Sequence, residues 1–554
     1  MARAWPLGIV VATLTLMVAT EPYLAIVWDE GYTLGRESRI KGWFQALRDP
    51  GRFAATWQPP TIDLVQPDRL TQPPLRAEEV NTRAKLFEPR ALAWFWPFAR
   101  EEPHGHPPFY AIVGVLGDVL TPGSWPPLAR ARFGPMLAFS LTAGALFGFA
   151  NRRWGFWPAL LGAGAWVLQP RLFGHGHYAT YDALLTSLWV GTILAFARAV
   201  EPKLTPSDDP NPNPQWIWVV VFGVLVGWAA DTKFTAWLLP VPFLAWTVLY
   251  RSRRGLQTLA VGALVGLVTL YAFNPAFWVD PVGGVDRFLR SSLSRGRTIP
   301  IPVLFLGQVV QTPNQSLPWY NTLVWTLFVT PVGLLIFAIF GMIRGIRRRK
   351  TEPFGVLVLI HWAFLLTLRA LPHTPGHDGV RQFLPAFGCL ALAATLGAVD
   401  VWERWGTWVK YAFLGVLVEA GLGVALMMPV PLSYYSPLVG GLPGATSLGM
   451  EPTYYWDALT DDALDWLNQN TPQGAKVRFS TFPTSWLYLR ETGRLQPEVL
   501  PNRPGPIAWY VVQNRPGALL AEDRALLARG RPSYVVSKWG VPLVLIYPYN
   551  ELGR

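Results

Sequence analysis

The chain is poor in cysteine, histidine and charge. One cysteine, Cys389, stands among 554 residues, which excludes an intrachain disulfide framework. Only 15% of the residues are charged, where a soluble domain averages about 25%. No glycine-rich phosphate loop, no basic amphipathic run and no internal repeat occur, so the net charge of +12 does not point to a nucleic-acid partner. What fills the chain instead is apolar: 51% hydrophobic residues, 28 tryptophans, and many runs about as long as a bilayer is thick. These features describe an integral membrane protein. Residues 1–20 carry Arg3 ahead of an apolar stretch but have a poor cleavage site around Val18-Ala19-Thr20, and read as an uncleaved first span.

Apolar runs at 5–20, 133–150, 154–170, 183–200, 215–230, 234–250, 255–273, 321–343, 353–371, 381–400 and 409–430 make about eleven spans. The shorter run 107–120 opens with Pro107-Pro108 and is interrupted by Asp118, so it reads as an interfacial helix. Charge tests that choice. With the N-terminus inside, the inside loops hold Arg152 and Arg153, Arg198 and Lys203, Arg251 to Arg254, Arg344 to Lys350, and Arg404 with Lys410, as the positive-inside rule requires. Counting 107–120 as a span would place the Arg347–Lys350 cluster outside.

The expected fold is a polytopic α-helical membrane protein over residues 1–430, with a long first outer loop at 21–132, followed by a small extracytoplasmic α/β domain over 431–554. In that tail, 461–469 reads as a helix with Thr460 as its cap, and 477–482, 534–537 and 541–547 read as strands. Residues 204–214 read as a polar inside linker.

The same topology sorts the scarce polar residues. Asp29 and Glu30, in Trp28-Asp29-Glu30-Gly31-Tyr32, fall just past the first span. On that outer side also fall His104, His106, His175, His177, Asp182, Asp231, Lys233, His373, His377, Asp378 and Arg381, and every histidine except His361. Carboxylates beside hydrocarbon are costly to keep charged, and acids, imidazoles and cations at the outer ends of several spans suggest one extracytoplasmic site. Each residue alone has a plainer reading. Asp29 and Glu30 would mark a helix end in the headgroup zone, Asp182 would cap a helix, Lys233 would snorkel and Arg381 would anchor an interface. The two His-Gly-His pairs, 104–106 and 175–177, would hold a metal if their segments are extended, because alternate residues then face one way. With a carboxylate from Asp29, Glu30 or Asp182 such a site would suit zinc; the plainer reading is hydrogen bonding and lipid phosphate contact.

The order of these features resembles the GT-C superfamily of membrane glycosyltransferases, nearest in pattern to protein O-mannosyltransferases and lipid A aminoarabinose transferases. Asp29-Glu30 matches the Asp-Glu motif after the first span, and His106-Pro107-Pro108-Phe109-Tyr110 is similar to a His-Pro-Pro-Leu-Tyr element of the first loop. Arg130 or Arg132 precedes the second expected span as a family arginine does, and Asp182 follows the second outer loop like the second acidic position. Lys233 lies in a similar Thr-Lys-Phe-Thr turn, and Arg381-Gln382-Phe383-Leu384-Pro385 resembles a late Arg-Tyr-Leu-Leu-Pro element, departing from it at Gln382 and Phe383. The resemblance covers residues 1–400 well and the tail after 430 poorly. The segment from Tyr434-Tyr435 to Tyr454-Tyr455-Trp456-Asp457 looks like a junction in bacterial relatives without an assigned activity.

The resemblance implies inverting transfer of a sugar from a polyprenyl-phosphate donor to a protein, lipid or glycan acceptor outside a prokaryotic-type cytoplasmic membrane. It requires no cofactor, with zinc the alternative at His104, His106, His175 and His177. Asp29 would act as base, with Glu30 or Asp182 orienting the acceptor or raising the pKa of Asp29 by like charge. Lys233, Arg381 and Arg132 would hold the donor phosphate, and Tyr32, His106 and Tyr181 would touch substrate. The competing classes are a transporter or flippase for lipid-linked sugars, which would carry ionisable residues at mid-membrane depth in paired halves, and a non-catalytic assembly protein.

Overall fold

The structure is a computed structural model that describes residues 4–59, 73–96, 106–201, 214–298 and 301–550. The expected 204–214 linker lies almost wholly outside the described residues, as does His104. The expected apolar runs are helical. Among the described residues, six stretches are long and apolar enough to cross a bilayer: Trp5–Tyr23, Pro127–Trp154, Tyr181–Val200, Arg253–Phe273, Pro353–Ala370 and Pro385–Met427. Phe156–Val167, Trp216–Ala230 and Phe234–Leu249 are apolar but shorter.

Proline accounts for the differences between expected and observed bounds. The run 321–343 divides into Asn321–Val329 and Val332–Arg347 at Thr330-Pro331, because proline has no N–H for the ladder and restricts the residue before it. The helix expected from 133 begins at Pro127, in the first helical turn where proline fits, so Arg130 and Arg132 lie on it rather than ahead of it. Helices in the body approach closely where side chains are absent. A Cβ on Gly341 would meet the Ala393 carbonyl oxygen at 1.8 Å, and one on Gly397 would meet that of Phe337 at 1.9 Å, so Val332–Arg347 and Pro385–Trp405 cross in backbone contact.

The chain leaves the first helix, Trp5–Thr20, and starts the helix Trp28–Arg48. Phe109–Leu120 is the helix expected at 107–120; it packs between Trp28–Arg48 and Pro127–Trp154, and Asp118 pairs with Lys41 at 2.6 Å and Arg130 at 3.1 Å. The tail contains a sheet of β3 (Lys476–Phe479), β4 (Ile507–Gln513), β5 (Tyr534–Lys538) and β6 (Val541–Pro548), after an earlier hairpin of β1 (Ile301–Phe305) and β2 (Gln308–Thr312). The sheet order is β3-β4-β6-β5, with β3 parallel to β4 and the other pairs antiparallel. Sequence reading finds three of these four strands and misses β4, whose Ile-Ala-Trp-Tyr-Val-Val run lies in the interior of the sheet and does not alternate. The expected helix is Asp461–Asn470, and Thr460 occupies its cap position without a side-chain bond to the backbone. Residues 431–460 are not a detached linker: Leu432 and Tyr455 pack with Leu24, Val27 and Tyr178 in one buried cluster.

One arginine joins the segments around the start of the Trp28–Arg48 helix. Arg132 is 0% exposed and all five of its N–H groups are used. Nε donates to Glu30 Oε1 at 2.8 Å; Nη1 donates to Glu21 Oε1 at 3.0 Å and the Leu24 carbonyl at 3.1 Å; Nη2 donates to the Ala25 carbonyl at 2.8 Å and Glu30 Oε2 at 2.7 Å. Glu30 also accepts from the backbone N–H of Val27 at 3.1 Å and of Ala179 at 2.8 Å. Two expectations are corrected by this geometry. Arg132 has no donor left for a lipid phosphate, and Glu30, wholly buried and fully engaged, cannot orient an acceptor.

Arg132→Ala strands the Glu21 and Glu30 carboxylates, and is expected to destabilise the fold by about 3–5 kcal/mol. Arg130→Ala breaks only the partly exposed pair with Asp118 and should cost at most about 1 kcal/mol. Thermal unfolding of the two variants in detergent measures the contrast; equal losses would show that the Arg132 cluster does not hold the fold.

Candidate functional site

Asp29 is the second residue of Trp28–Arg48, so its carboxylate lies in the positive field of a helix N-terminus. Three groups from three distant elements converge on Oδ2. They are the Tyr181 hydroxyl at the start of Tyr181–Val200, the Arg381 guanidinium from the turn Gly379–Phe383, and the Tyr455 hydroxyl at 2.7 Å. Among the described residues no hydrogen bond reaches Oδ1. The side chain is 14% exposed, enough for that oxygen to meet a ligand. Burial alone would push this carboxyl up, but the Arg381 charge and the bonds from Tyr181, Tyr455 and Arg381 outweigh it and hold the pKa at about 2. Like-charge proximity therefore does not raise the Asp29 pKa, contrary to the expectation from sequence; the nearest strong charge is a cation.

Asp182 stands beside Asp29 but serves a different partner. Its Oδ1 accepts from Lys233 Nζ at 2.6 Å, and its Oδ2 lies 3.6 Å from Arg381 Nη1 without a hydrogen bond. Asp182 is thus neither an isolated helix cap nor a second free base. Thr180 holds the cap position. Burial draws the Lys233 pKa down while Asp182 opposes that shift, and the ammonium also lies 5.1 Å from the Tyr181 ring. Arg381 Nη2 reaches Asp378 Oδ2 at 2.9 Å, and its guanidinium lies 4.4 Å over the Tyr455 ring. Carboxylates and cations alternate here, so charge is balanced within a mostly dry setting and the cations are fixed before any ligand arrives.

Aromatic side chains wall the cluster. The His106 ring lies 3.7 Å from the Tyr181 ring, and Tyr110 meets Tyr181 edge-on at 5.5 Å. Tyr32 lies one turn along the Asp29 helix, against Trp28. Trp28 in turn packs 4.6 Å from Trp456, and its backbone N–H donates to the Tyr455 carbonyl at 3.1 Å.

The expected metal pair at 175–177 is corrected. Pro170–His177 is a helix, not an extended segment, so residues two apart point to different sides. His177 bonds the Phe173 carbonyl through Nδ1 at 2.8 Å, and Thr20 Oγ1 and the Met17 carbonyl through Nε2, leaving no nitrogen free. His175 faces Tyr455 instead, 5.8 Å between ring centres, and burial holds it neutral. His106 lies against the Tyr181 ring, and no group of three or more metal-capable side chains gathers among the described residues.

Asp29, Asp182, Lys233, Arg381, Tyr181 and His106 are brought together. Sequence reading does not single out Tyr455, which touches Asp29 directly, nor Arg515, 2.8 Å from Asp378. The paired tyrosines at 454–455 are the one visible signal. A cavity of about 750 Å³ behind the Arg132 cluster is lined by Val18, Glu21, Leu24, Leu128, Met136 and Tyr488 among others; it contains none of the charged groups around Asp29.

A sequence model of the dolichyl-phosphate-mannose-protein mannosyltransferase family matches residues 106–278, the part that holds His106, Tyr181, Asp182 and Lys233 but not Asp29 or Arg381. No curated protein matches the chain significantly. Among solved structures, ArnT from Cupriavidus metallidurans bound to undecaprenyl phosphate superposes with a TM-score of 0.51 at 16% identity, over 99% of this chain and 98% of that one. The apo form of the same protein gives 0.50 at 16% identity, over 98% of each chain. The apo oligosaccharyltransferase of Archaeoglobus fulgidus aligns at 0.46 and 14% identity, over 92% of this chain and 70% of its own. Helical body and C-terminal sheet together share the ArnT fold, and with the mannosyltransferase segment inside it the chain resembles the GT-C superfamily of membrane glycosyltransferases.

Proposed function

We propose that the protein transfers a sugar from a polyprenyl-phosphate donor to an acceptor hydroxyl or amine outside the cytoplasmic membrane, with inversion. The convergence on Asp29 carries this reading: a carboxylate with one unengaged oxygen lies beside two buried cations that are close enough to share an anion. Undecaprenyl phosphate bound to the ArnT of like fold is consistent with a donor of that class.

In the proposed reaction the donor phosphate meets Arg381 and Lys233. The acceptor attacks the anomeric carbon, its proton passes to Asp29 Oδ1, and the electron pair of the breaking C–O bond leaves on the phosphate. A phosphate is a good leaving group, so no strong acid is needed on that side. At rest Asp29 is too strongly stabilised to be a good base. A phosphate that draws Arg381 toward itself weakens that hold and raises the basicity of Asp29 when substrate is present. Asp182 keeps Lys233 in place. His106, Tyr181 and Tyr32 line the approach, and the acceptor is a protein, a lipid or a glycan.

The eleven apolar runs cross the bilayer in this reading, with Arg152, Arg344 and Arg404 on the cytoplasmic side and Asp29 with the tail on the other. The buried Cys389 is the natural background to remove for a test of sidedness. Single cysteines at exposed positions 404 and 531 should be labelled by an impermeant maleimide only after permeabilisation for the first, and in intact cells for the second. The reverse pattern, or labelling from one side for both, would overturn the topology.

Membranes given labelled polyprenyl-phosphate sugars should pass label to a protein, lipid or glycan fraction. Asp29→Asn should lower that rate by about 10²–10⁴-fold, and a loss within about threefold removes the general-base role.

The sign of the pH dependence follows from the depressed pKa. Asp29 is ionised in the folded protein down to about pH 2, so its contribution to stability is present above the unfolded value of about 3.9 and lost as pH falls toward 2. Tyr455→Phe removes one donor to the carboxylate and should raise the acid limb of kcat/KM by about one to two pH units. An unmoved limb would mean that Asp29 does not set it.

A further inference from the structure

The row of charges that begins at Asp29 does not stop at the helical body. Arg381 uses Nη1 toward Asp29 and Nη2 toward Asp378 Oδ2, at 2.9 Å for the second. The other oxygen of Asp378 lies 2.8 Å from Arg515 Nη1. Arg515 belongs to the C-terminal sheet domain, two residues past β4, and is 1% exposed. It has three further neighbours. Nη1 donates to the Tyr454 carbonyl at 2.8 Å, the guanidinium lies 4.1 Å over the Trp456 ring, and Nε is 3.5 Å from Glu451 Oε2. Glu451 is itself held by the backbone N–H groups of Leu304 at 3.1 Å and Gly517 at 3.0 Å.

Asp378 adopts φ +62°, in the left-handed region that costs a non-glycine residue energy. It is kept there between two guanidiniums. A guanidinium is a planar fork, so fixing one nitrogen fixes the direction of the other. With Nη2 tied to Asp378, the Arg381 plane is oriented so that Nη1 faces Asp29. Without Arg515, Asp378 would keep Arg381 as its close cation, since His377 is 4.0 Å away and burial holds it neutral. The unbalanced carboxylate would then draw Arg381 away from Asp29.

We propose that Arg515 is a positioning residue for glycosyl transfer: through Asp378 it aims the Arg381 guanidinium at Asp29 and the donor phosphate, which makes the C-terminal domain part of the active site. This rests on the transfer reading above. Tyr455 touches Asp29 and the neighbouring Tyr454 and Trp456 hold Arg515, so one short segment serves both ends of the charge row.

The test uses the full-length protein in nanodiscs, with undecaprenyl phosphate as the binding probe and a labelled polyprenyl-phosphate sugar that the wild type turns over. Rates are expressed per folded molecule, with the folded fraction taken from thermal unfolding. Arg515→Gln should weaken undecaprenyl phosphate binding about tenfold and lower the saturated rate about 10–100-fold, as expected of a misaimed group. Arg515→Lys, which retains the charge, should recover at least half of that loss on a logarithmic scale. Asp378→Asn combined with Arg515→Gln should be no worse than Asp378→Asn alone, because the two act through one contact. Wild-type behaviour of Arg515→Gln, absence of rescue by lysine, or multiplicative losses in the double variant would each overturn the positioning role. A wild type that neither binds undecaprenyl phosphate nor transfers label would instead sink the transfer reading.

Discussion

The ion pair between Arg132 and Glu30 is the constraint on which the region around Asp29 depends. Glu30 follows Asp29 in the chain, and its Oε1 also accepts from Ala179, two residues before Tyr181. Thr33 adds a second tie, donating to the Ala179 carbonyl at 2.6 Å. The Asp29 helix is therefore fastened to the start of the Tyr181–Val200 helix by the neighbours of Asp29 and Tyr181 as well as by the bond between those two. Burying three charged side chains is costly, and a similar apolar cluster would serve stability as well. What the polar cluster adds is direction: five guanidinium N–H groups accept only one arrangement of the surrounding oxygens.

Upon that frame the site is a line of alternating charge. Lys233 faces Asp182, Arg381 faces Asp29 and Asp378, and Arg515 faces Asp378 and Glu451. In a setting of low dielectric, each ion is tolerable only because its neighbour has the opposite sign. The same arrangement suits phosphate chemistry. In the proposed reaction an arriving anion meets cations already oriented, and it redistributes their hold on Asp29.

The C-terminal sheet is an integral part of this line. β4, which lies in the interior of the sheet, leads to Arg515, and the segment before the sheet supplies Tyr455. An α/β domain at the end of a membrane protein reads from sequence as an appendage; here it supplies groups to the innermost site. Residues 431–460 pass from the last apolar helix into the buried Leu24–Val27 region, so the domain boundary in sequence does not separate two independent bodies.

Hydropathy and charge alone determined the helical body, the gathering of Asp29, Asp182, Lys233 and Arg381 near the ends of several helices, and the outlines of the tail. These properties repeat along the chain or are set by transfer to hydrocarbon, and both leave their mark on local sequence. Tertiary structure alone decided which acids and cations pair. Glu30 and Asp29 are adjacent and chemically alike, yet one is locked to Arg132 and the other is partly open, because successive helical residues point about 100° apart into different surroundings. The histidines of Pro170–His177 look like a metal pair until the backbone turns helical, and Arg515 is one arginine among many until the sheet carries it to Asp378. Pairing at such range depends on where distant segments are packed, and no local pattern records it.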